Sequence, residues 1–139
     1  MQQLFSADKR YQTWRRLWVE LARAQSELGL PVTPEQVAEL EAHITDIDYE
    51  AERAKEKEIR HDVMAHIYAY GLVCPNAKGI IHLGATSCYV TDNADLIIYR
   101  EALLSIRSSL LTVIGNLAAF ADKYKALPTL GYTRNVLRV

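Results

Sequence analysis

Between residues 91 and 124 the chain has no proline and a single glycine, Gly115. Leu96, Ile97, Leu103, Leu104, Ile106, Leu110, Leu111, Val113, Ile114, Leu117 and Phe120 run through this stretch as a wide apolar stripe. Such a pattern belongs to a long helix with an apolar face to bury. About 34 helical residues at 1.5 Å each reach roughly 50 Å. A compact chain of 139 residues has a radius of gyration of only about 14 Å. The helix should project beyond any globule that the rest of the chain can form. Its stripe then needs a partner from another chain or from further sequence. The mismatch predicts an all-α, long-helix bundle and an oligomer.

The rest of the chain reads as shorter helices. Tyr11, Trp14, Leu17, Trp18, Leu21 and Leu28 mark one face of a helix over about residues 7–28. Gly29 stops it, and Pro31 keeps it from resuming. Thr33-Pro34-Glu35-Gln36 is a capping box with proline at the first helical position. It opens a short helix whose apolar side is Val37, Leu40 and Ile44. A third helix is predicted from near Asp48 to Gly71, charged over residues 49–58 and apolar beyond. Residues 72–90 break the pattern: Cys74-Pro75-Asn76 reads as a turn, and residues 79–87 as a loop with a short buried piece.

Composition excludes several functions. Lys plus Arg total 16 and Asp plus Glu total 17, so the net charge is -1. A nucleic-acid binder needs a basic excess, and no nucleic-acid partner is expected. No uninterrupted apolar run approaches the roughly 20 residues that span a bilayer, and the first residues lack a signal peptide's apolar stretch. No membrane partner is expected, and the cytoplasm is the default location. Cys74 and Cys88 have no metal or redox spacing. They read as free thiols, with a disulfide as the less favoured alternative.

Two constellations could carry chemistry. The first is Arg60-His61-Asp62. On a continuous helix these residues fan around the axis. Arg60 could hold a phosphate or carboxylate. His61 could donate a proton or hydrogen bond near neutral pH, and Asp62 could orient a neighbour. The bland alternative is a surface charge cluster. The second is Gly84-Ala85-Thr86-Ser87, a glycine and two hydroxyls just before the long helix, suited to an anion. Its bland alternative is a helix cap or turn.

Other signals point away from function. Gly79-x4-Gly84-Ala85-Thr86 misses a phosphate-binding P-loop, because Ala85 stands where lysine is required. His61 and His66, five positions apart, do not share a helix face, so no metal site is expected. His66 reads as packed or at a solvent edge, and His43 as exposed. His82 reads as structural ahead of ligand-binding, and Trp14 and Trp18 as core. No Ser-His-Asp or Cys-His arrangement can be assembled, and no cofactor is expected.

Taken together, the motifs resemble a known family. Arg60-His61-Asp62-Val63-Met64-Ala65-His66 and then Gly79-Ile80-Ile81-His82-Leu83-Gly84-Ala85-Thr86-Ser87-Cys88-Tyr89-Val90 resemble adenylosuccinate lyase, in the animal-like branch of the fumarase/aspartase superfamily. Thr13-Trp14-Arg15-Arg16-Leu17-Trp18 and Leu127-Pro128-Thr129-Leu130-Gly131-Tyr132-Thr133 are similar to it as well. The resemblance covers essentially residues 1–133, in order. It implies a helical N-terminal domain, residues 1–86, followed by the start of a central long-helix bundle, residues 87–139. It implies a homotetramer with active sites shared among subunits.

The implied activity is carbon–nitrogen lysis by β-elimination. Adenylosuccinate gives AMP and fumarate, and SAICAR gives AICAR and fumarate, in purine nucleotide biosynthesis. The resemblance makes Arg60, His61, Asp62, Thr86 and Ser87 substrate contacts. The family's acid is a histidine directly after the Gly-Tyr/Phe-Thr motif, where this chain has Arg134. An arginine does not give up its proton near neutral pH. The tail after Thr133 departs from the family pattern, and the family's serine base lies on a loop much further along. The chain alone is therefore expected to be an inactive, truncated N-terminal portion of a lyase. The alternative is a non-catalytic helical module that associates with full-length lyase subunits.

Overall fold

The structure, a computed structural model, describes residues 1–128, 131–133 and 136–138. Five helices account for most of it: α1 (Ala7–Glu27), α2 (Pro34–Ala42), α3 (Tyr49–Ile59), α4 (Asp62–Val73) and α5 (Ser87–Tyr124). Two short strands, β1 (Gly131–Thr133) and β2 (Val136–Arg138), pair antiparallel with Tyr132 opposite Leu137. The all-α class holds, with this strand pair as a small addition. The chain divides into two units, Met1–Ala102 and Leu103–Val139.

The helix starts follow local chemistry. Ser6 Oγ accepts from Lys9 N at 3.2 Å and caps α1. Thr33 and Gln36 form the reciprocal capping box of α2, with Pro34 at its first position. Asp48 Oδ1 accepts from Glu50 N and Ala51 N and caps α3. Each satisfies N–H groups that the helix itself leaves without partners.

In the first unit, α1 turns Trp14, Trp18, Val19 and Ala22 inward. Val37 and Leu40 of α2, Val63 and Tyr70 of α4, and Val90 and Ala94 of α5 meet them. Ile80 and Ile81 supply the short buried piece expected in the 79–87 loop. Cys74 is buried and Cys88 exposed, and both are free thiols.

Two expectations need correction. The third helix predicted to run on to Gly71 is two helices, α3 and α4, broken at Arg60 and His61. The break is required because the charged face of α3 belongs in solvent while Val63, Ala65, His66, Ala69 and Tyr70 of α4 are buried. Gly71 does not end the segment: α4 continues through it to Val73. A Cβ there would lie 2.8 Å from Lys78 Cγ, so a larger residue would have to displace that side chain.

In the second unit every residue from 103 to 128 is exposed, including Leu110, Leu111, Ile114, Leu117 and Phe120. An 18-residue window of α5 reaches a mean hydropathy of 1.5, so by length and composition this helix could span a bilayer. The expectation that no segment would qualify counted only uninterrupted apolar residues. An average tolerates isolated polar ones such as Asn116. A helix made for a bundle has the same composition.

Two buried charge-bearing groups shape the first unit. Arg15, 1% exposed, donates from Nη1 to the carbonyls of His43 (2.5 Å) and Asp46 (2.9 Å). Its Cζ stands 4.1 Å from the centroid of the Tyr70 ring, a cation–π arrangement that helps offset desolvation. His43 is thus half-buried and tied into this network, more than the exposed residue expected. His66, 2% exposed, stacks on Tyr11 with centroids 3.7 Å apart. Its Nε2 lies 3.6 Å from Glu52 Oε1, beyond hydrogen-bond reach. Burial pushes the His66 pKa down to about 4 and pushes Glu52 up, so the pair meets as a neutral imidazole beside a carboxyl group that resists ionisation.

The His66 contribution to stability is complete above its ordinary pKa of 6.5 and is lost as the pH falls through about 4. The unfolded chain takes up the proton over that window and the folded chain does not, a loss of about 3 kcal/mol. Glu52 acts in the opposite sense, favouring the fold as it protonates. Denaturant unfolding at pH 7, 5.5 and 4 should show falling stability, a flatter profile in His66→Gln and a steeper one in Glu52→Gln. Equal slopes in all three chains would contradict this account.

Candidate functional site

Arg60, His61 and Asp62 occupy the junction between α3 and α4. Arg60 is the C-cap of α3 in the left-handed conformation, with φ 53° and ψ 44°. Its N–H donates to the Glu56 carbonyl at 2.7 Å, and its side chain is exposed. His61 is the N-cap of α4: its Nδ1 accepts from Met64 N at 3.3 Å. Accepting there leaves the neutral ring's proton on Nε2. Asp62 opens α4, its Oδ1 accepting from Val63 N at 2.7 Å, where a carboxylate also suits the positive end of the helix. The three side chains are exposed. They do not fan around a continuous helix as the sequence suggested. A turn presents them.

The second group lies on the loop that enters α5. Gly84 has φ +71°, a conformation glycine adopts without penalty. Thr86 is exposed and Ser87 half-buried at the start of α5. The Thr86 carbonyl accepts from Tyr89 N at 2.9 Å. Among the described residues neither hydroxyl caps the helix, so the capping alternative has no support. Ser87 uses its carbonyl to receive the Thr91 hydroxyl at 3.2 Å.

Both loops hang from the same core. His82 Nδ1 accepts from Trp18 Nε1 at 2.9 Å. Burial, and the His61 ring when it is protonated, push the His82 pKa down. Among the described residues, the non-glycine positions with positive φ are Arg60 and His82, one in each loop. Backbone strain of this kind, roughly 1–3 kcal/mol per residue, collects where surrounding structure enforces a functional geometry. No hydrogen bond joins Arg60, His61 or Asp62 to Thr86 or Ser87 among the described residues. Arg134 lies outside the described residues.

His82 takes the structural role expected of it, as acceptor for the Trp18 indole. A histidine in an apolar loop gives no sign that its partner sits 64 positions earlier. A cavity of about 430 Å³, lined in part by Lys9, Arg16, Leu17, Ile44 and Glu101, includes none of the candidate residues. No cluster of three metal-ligating side chains occurs among the described residues.

No family model matches the chain. Known proteins do. Adenylosuccinate lyase of Schizosaccharomyces pombe is 52% identical over 136 residues, covering 96% of this chain. Adenylosuccinate lyase of Saccharomyces cerevisiae is equally similar, 52% over 136 residues and 96% of the chain. The Thermotoga maritima enzyme of the same name is 30% identical over 136 residues, covering 98% of the chain. Along nearly its whole length the chain is similar to adenylosuccinate lyases. It spans 28% of the length of each yeast relative and 31% of the Thermotoga one. Among its described residues this chain has five helices, with the candidate residues at the junctions that lead into α4 and α5.

The strain at Arg60 can be measured. A non-glycine residue in the left-handed region costs roughly 1–2 kcal/mol, which glycine avoids at some cost in unfolded-state entropy. Arg60→Gly should therefore be more stable than Arg60→Ala by about 1 kcal/mol in denaturant unfolding. Equal stabilities would show that the turn stores no strain at Arg60.

Proposed function

We propose that this chain supplies a substrate-binding part of an adenylosuccinate lyase active site. The reaction is β-elimination across a carbon–nitrogen bond, releasing fumarate from adenylosuccinate to leave AMP, and from SAICAR to leave AICAR. The observation that carries this reading is 52% identity to enzymes of that name over 96% of the chain. The non-catalytic module is not favoured beside it.

Within this reading each candidate has a chemical task. Arg60, exposed at a turn, offers a planar guanidinium to a carboxylate or phosphate of the substrate. His61 presents its Nε2–H as a donor. Asp62 accepts from a ligand hydroxyl or amine, and Thr86 and Ser87 contribute hydroxyls beside the start of α5. The reaction also needs a base next to the departing proton and an acid for the leaving nitrogen. Neither is assigned to a described residue, and the chain spans 28% of the yeast relatives, so this reading places both groups elsewhere in a lyase.

We read residues 1–86 as a helical N-terminal domain and residues 87–139 as the beginning of a central bundle. A homotetramer with shared sites follows from the family, and the exposed apolar face over residues 103–128 supports a helical partner. Purine nucleotide biosynthesis in the cytoplasm is the corresponding setting.

The purified 139-residue chain should release no fumarate from adenylosuccinate. Detectable release would overturn the division of labour proposed here. In a full-length lyase carrying this segment, Arg60→Ala should weaken transition-state binding by roughly 2–4 kcal/mol through loss of a charge-assisted contact. Unchanged KM and kcat would remove Arg60 from the site.

A further inference from the structure

We propose that Trp18 is a positioning residue: its indole N–H holds His82 as the neutral Nε2–H tautomer and turns that N–H toward an anionic oxygen of a ligand bound beside the 60–62 turn. The ligand part of this proposal rests on the substrate reading above.

The argument begins with what an indole can do. Trp18 is 1% exposed, and its N–H can only donate. Its acceptor is His82 Nδ1 at 2.9 Å, with the two rings perpendicular and their centroids 6.0 Å apart. An Nδ1 that accepts carries no proton, so in the neutral ring the proton is on Nε2. His82 is half-buried, and Nε2 makes no hydrogen bond to another described residue.

Burial alone does not require this bond. Trp14 is just as buried one turn earlier, and its Nε1 has no partner among the described residues. The backbone does not favour the arrangement either, since His82 sits at φ 68°. Two other bonds tie α1 to this loop and to the start of α5. Gln25 Nε2 donates to the Leu83 carbonyl at 2.8 Å, and Tyr89 Oη donates to the Leu17 carbonyl at 3.0 Å. One helix therefore places the loop, and one bond on it also selects a tautomer. A loop that needed only anchoring would be served by the other two. His61 likewise accepts at Nδ1, from the Met64 N–H, so in its neutral form each imidazole carries its proton on Nε2, suited to donate to a carboxylate or phosphate oxygen.

Nitrogen-detected NMR of the 15N-labelled chain tests the lock directly. The expected result is His82 as a single Nε2–H tautomer at neutral pH, with a coupling across the hydrogen bond from Trp18 Nε1 to His82 Nδ1. A mixture of tautomers, or an Nδ1–H ring, overturns the proposal with no variant required. In Trp18→Phe the coupling must vanish and the tautomers mix.

The functional half is read in a full-length lyase carrying this segment. His82→Asn keeps an acceptor for Trp18 and removes the outward donor. It should lower kcat/KM for adenylosuccinate at least tenfold with thermal stability retained. Trp18→Phe should show the same loss wherever it folds. Normal kcat/KM in His82→Asn overturns the donor role. If instead the lock and the His82→Asn loss stand while Arg60→Ala is silent, the assignment of Arg60 fails and the role of Trp18 does not.

Discussion

Trp14, Trp18, Val19 and Ala22 put one face of α1 into the centre of the first unit, and the helices around it are arranged against that face. Removing a ring of this size from a core costs about 3–5 kcal/mol, a large share of a domain's net stability. The same helix carries Arg15, whose guanidinium must find carbonyls and a ring face once it leaves water. It finds them at His43, Asp46 and Tyr70, which joins the α2–α3 connection to α4. The Tyr70 hydroxyl in turn donates to the Leu40 carbonyl of α2. Burying α1 thus commits most of the first unit to one arrangement.

The candidate site inherits its geometry from that commitment. Its two loops are exposed, yet neither is free to relax. Arg60 is held left-handed because α3 must stop and α4 must begin at an angle that buries Val63, His66 and Tyr70. His82 is held left-handed where Ile80 and Ile81 enter the core and Trp18 takes its ring nitrogen. The stable interior enforces conformations that an isolated loop would leave. Such preorganisation lowers the cost of gathering several polar groups around an anionic ligand.

The second unit poses the opposite problem. Its helix carries leucines, isoleucines and a phenylalanine with more than half of their surface in solvent. An apolar face of that size calls for a partner, and the proposed function supplies a candidate in a central bundle of long helices. The apolar stripe that made the helix legible in sequence also marks the part of the chain most exposed to solvent.

Much of this was legible in the residues. Thr33 with Gln36 announced a helix start, and another was expected near Asp48, because capping is local chemistry, settled within a few positions. Periodicity marked the buried face of α1, and freedom from proline marked α5. The order of the Arg60-His61-Asp62 and Gly84-Ala85-Thr86-Ser87 motifs carried the family, which composition could not. What stayed hidden was non-local. The α3–α4 break depends on which side chains the core accepts, and local propensity runs straight through Arg60. Gly71 looked like a stop, and only the fold brings Lys78 to where a larger residue's side chain would go. Sequence by itself determined helix identity and the residues available for chemistry, because both follow from local rules. The tertiary structure decided which nitrogen of His82 bears the proton, since that depends on a donor brought from 64 residues away by packing.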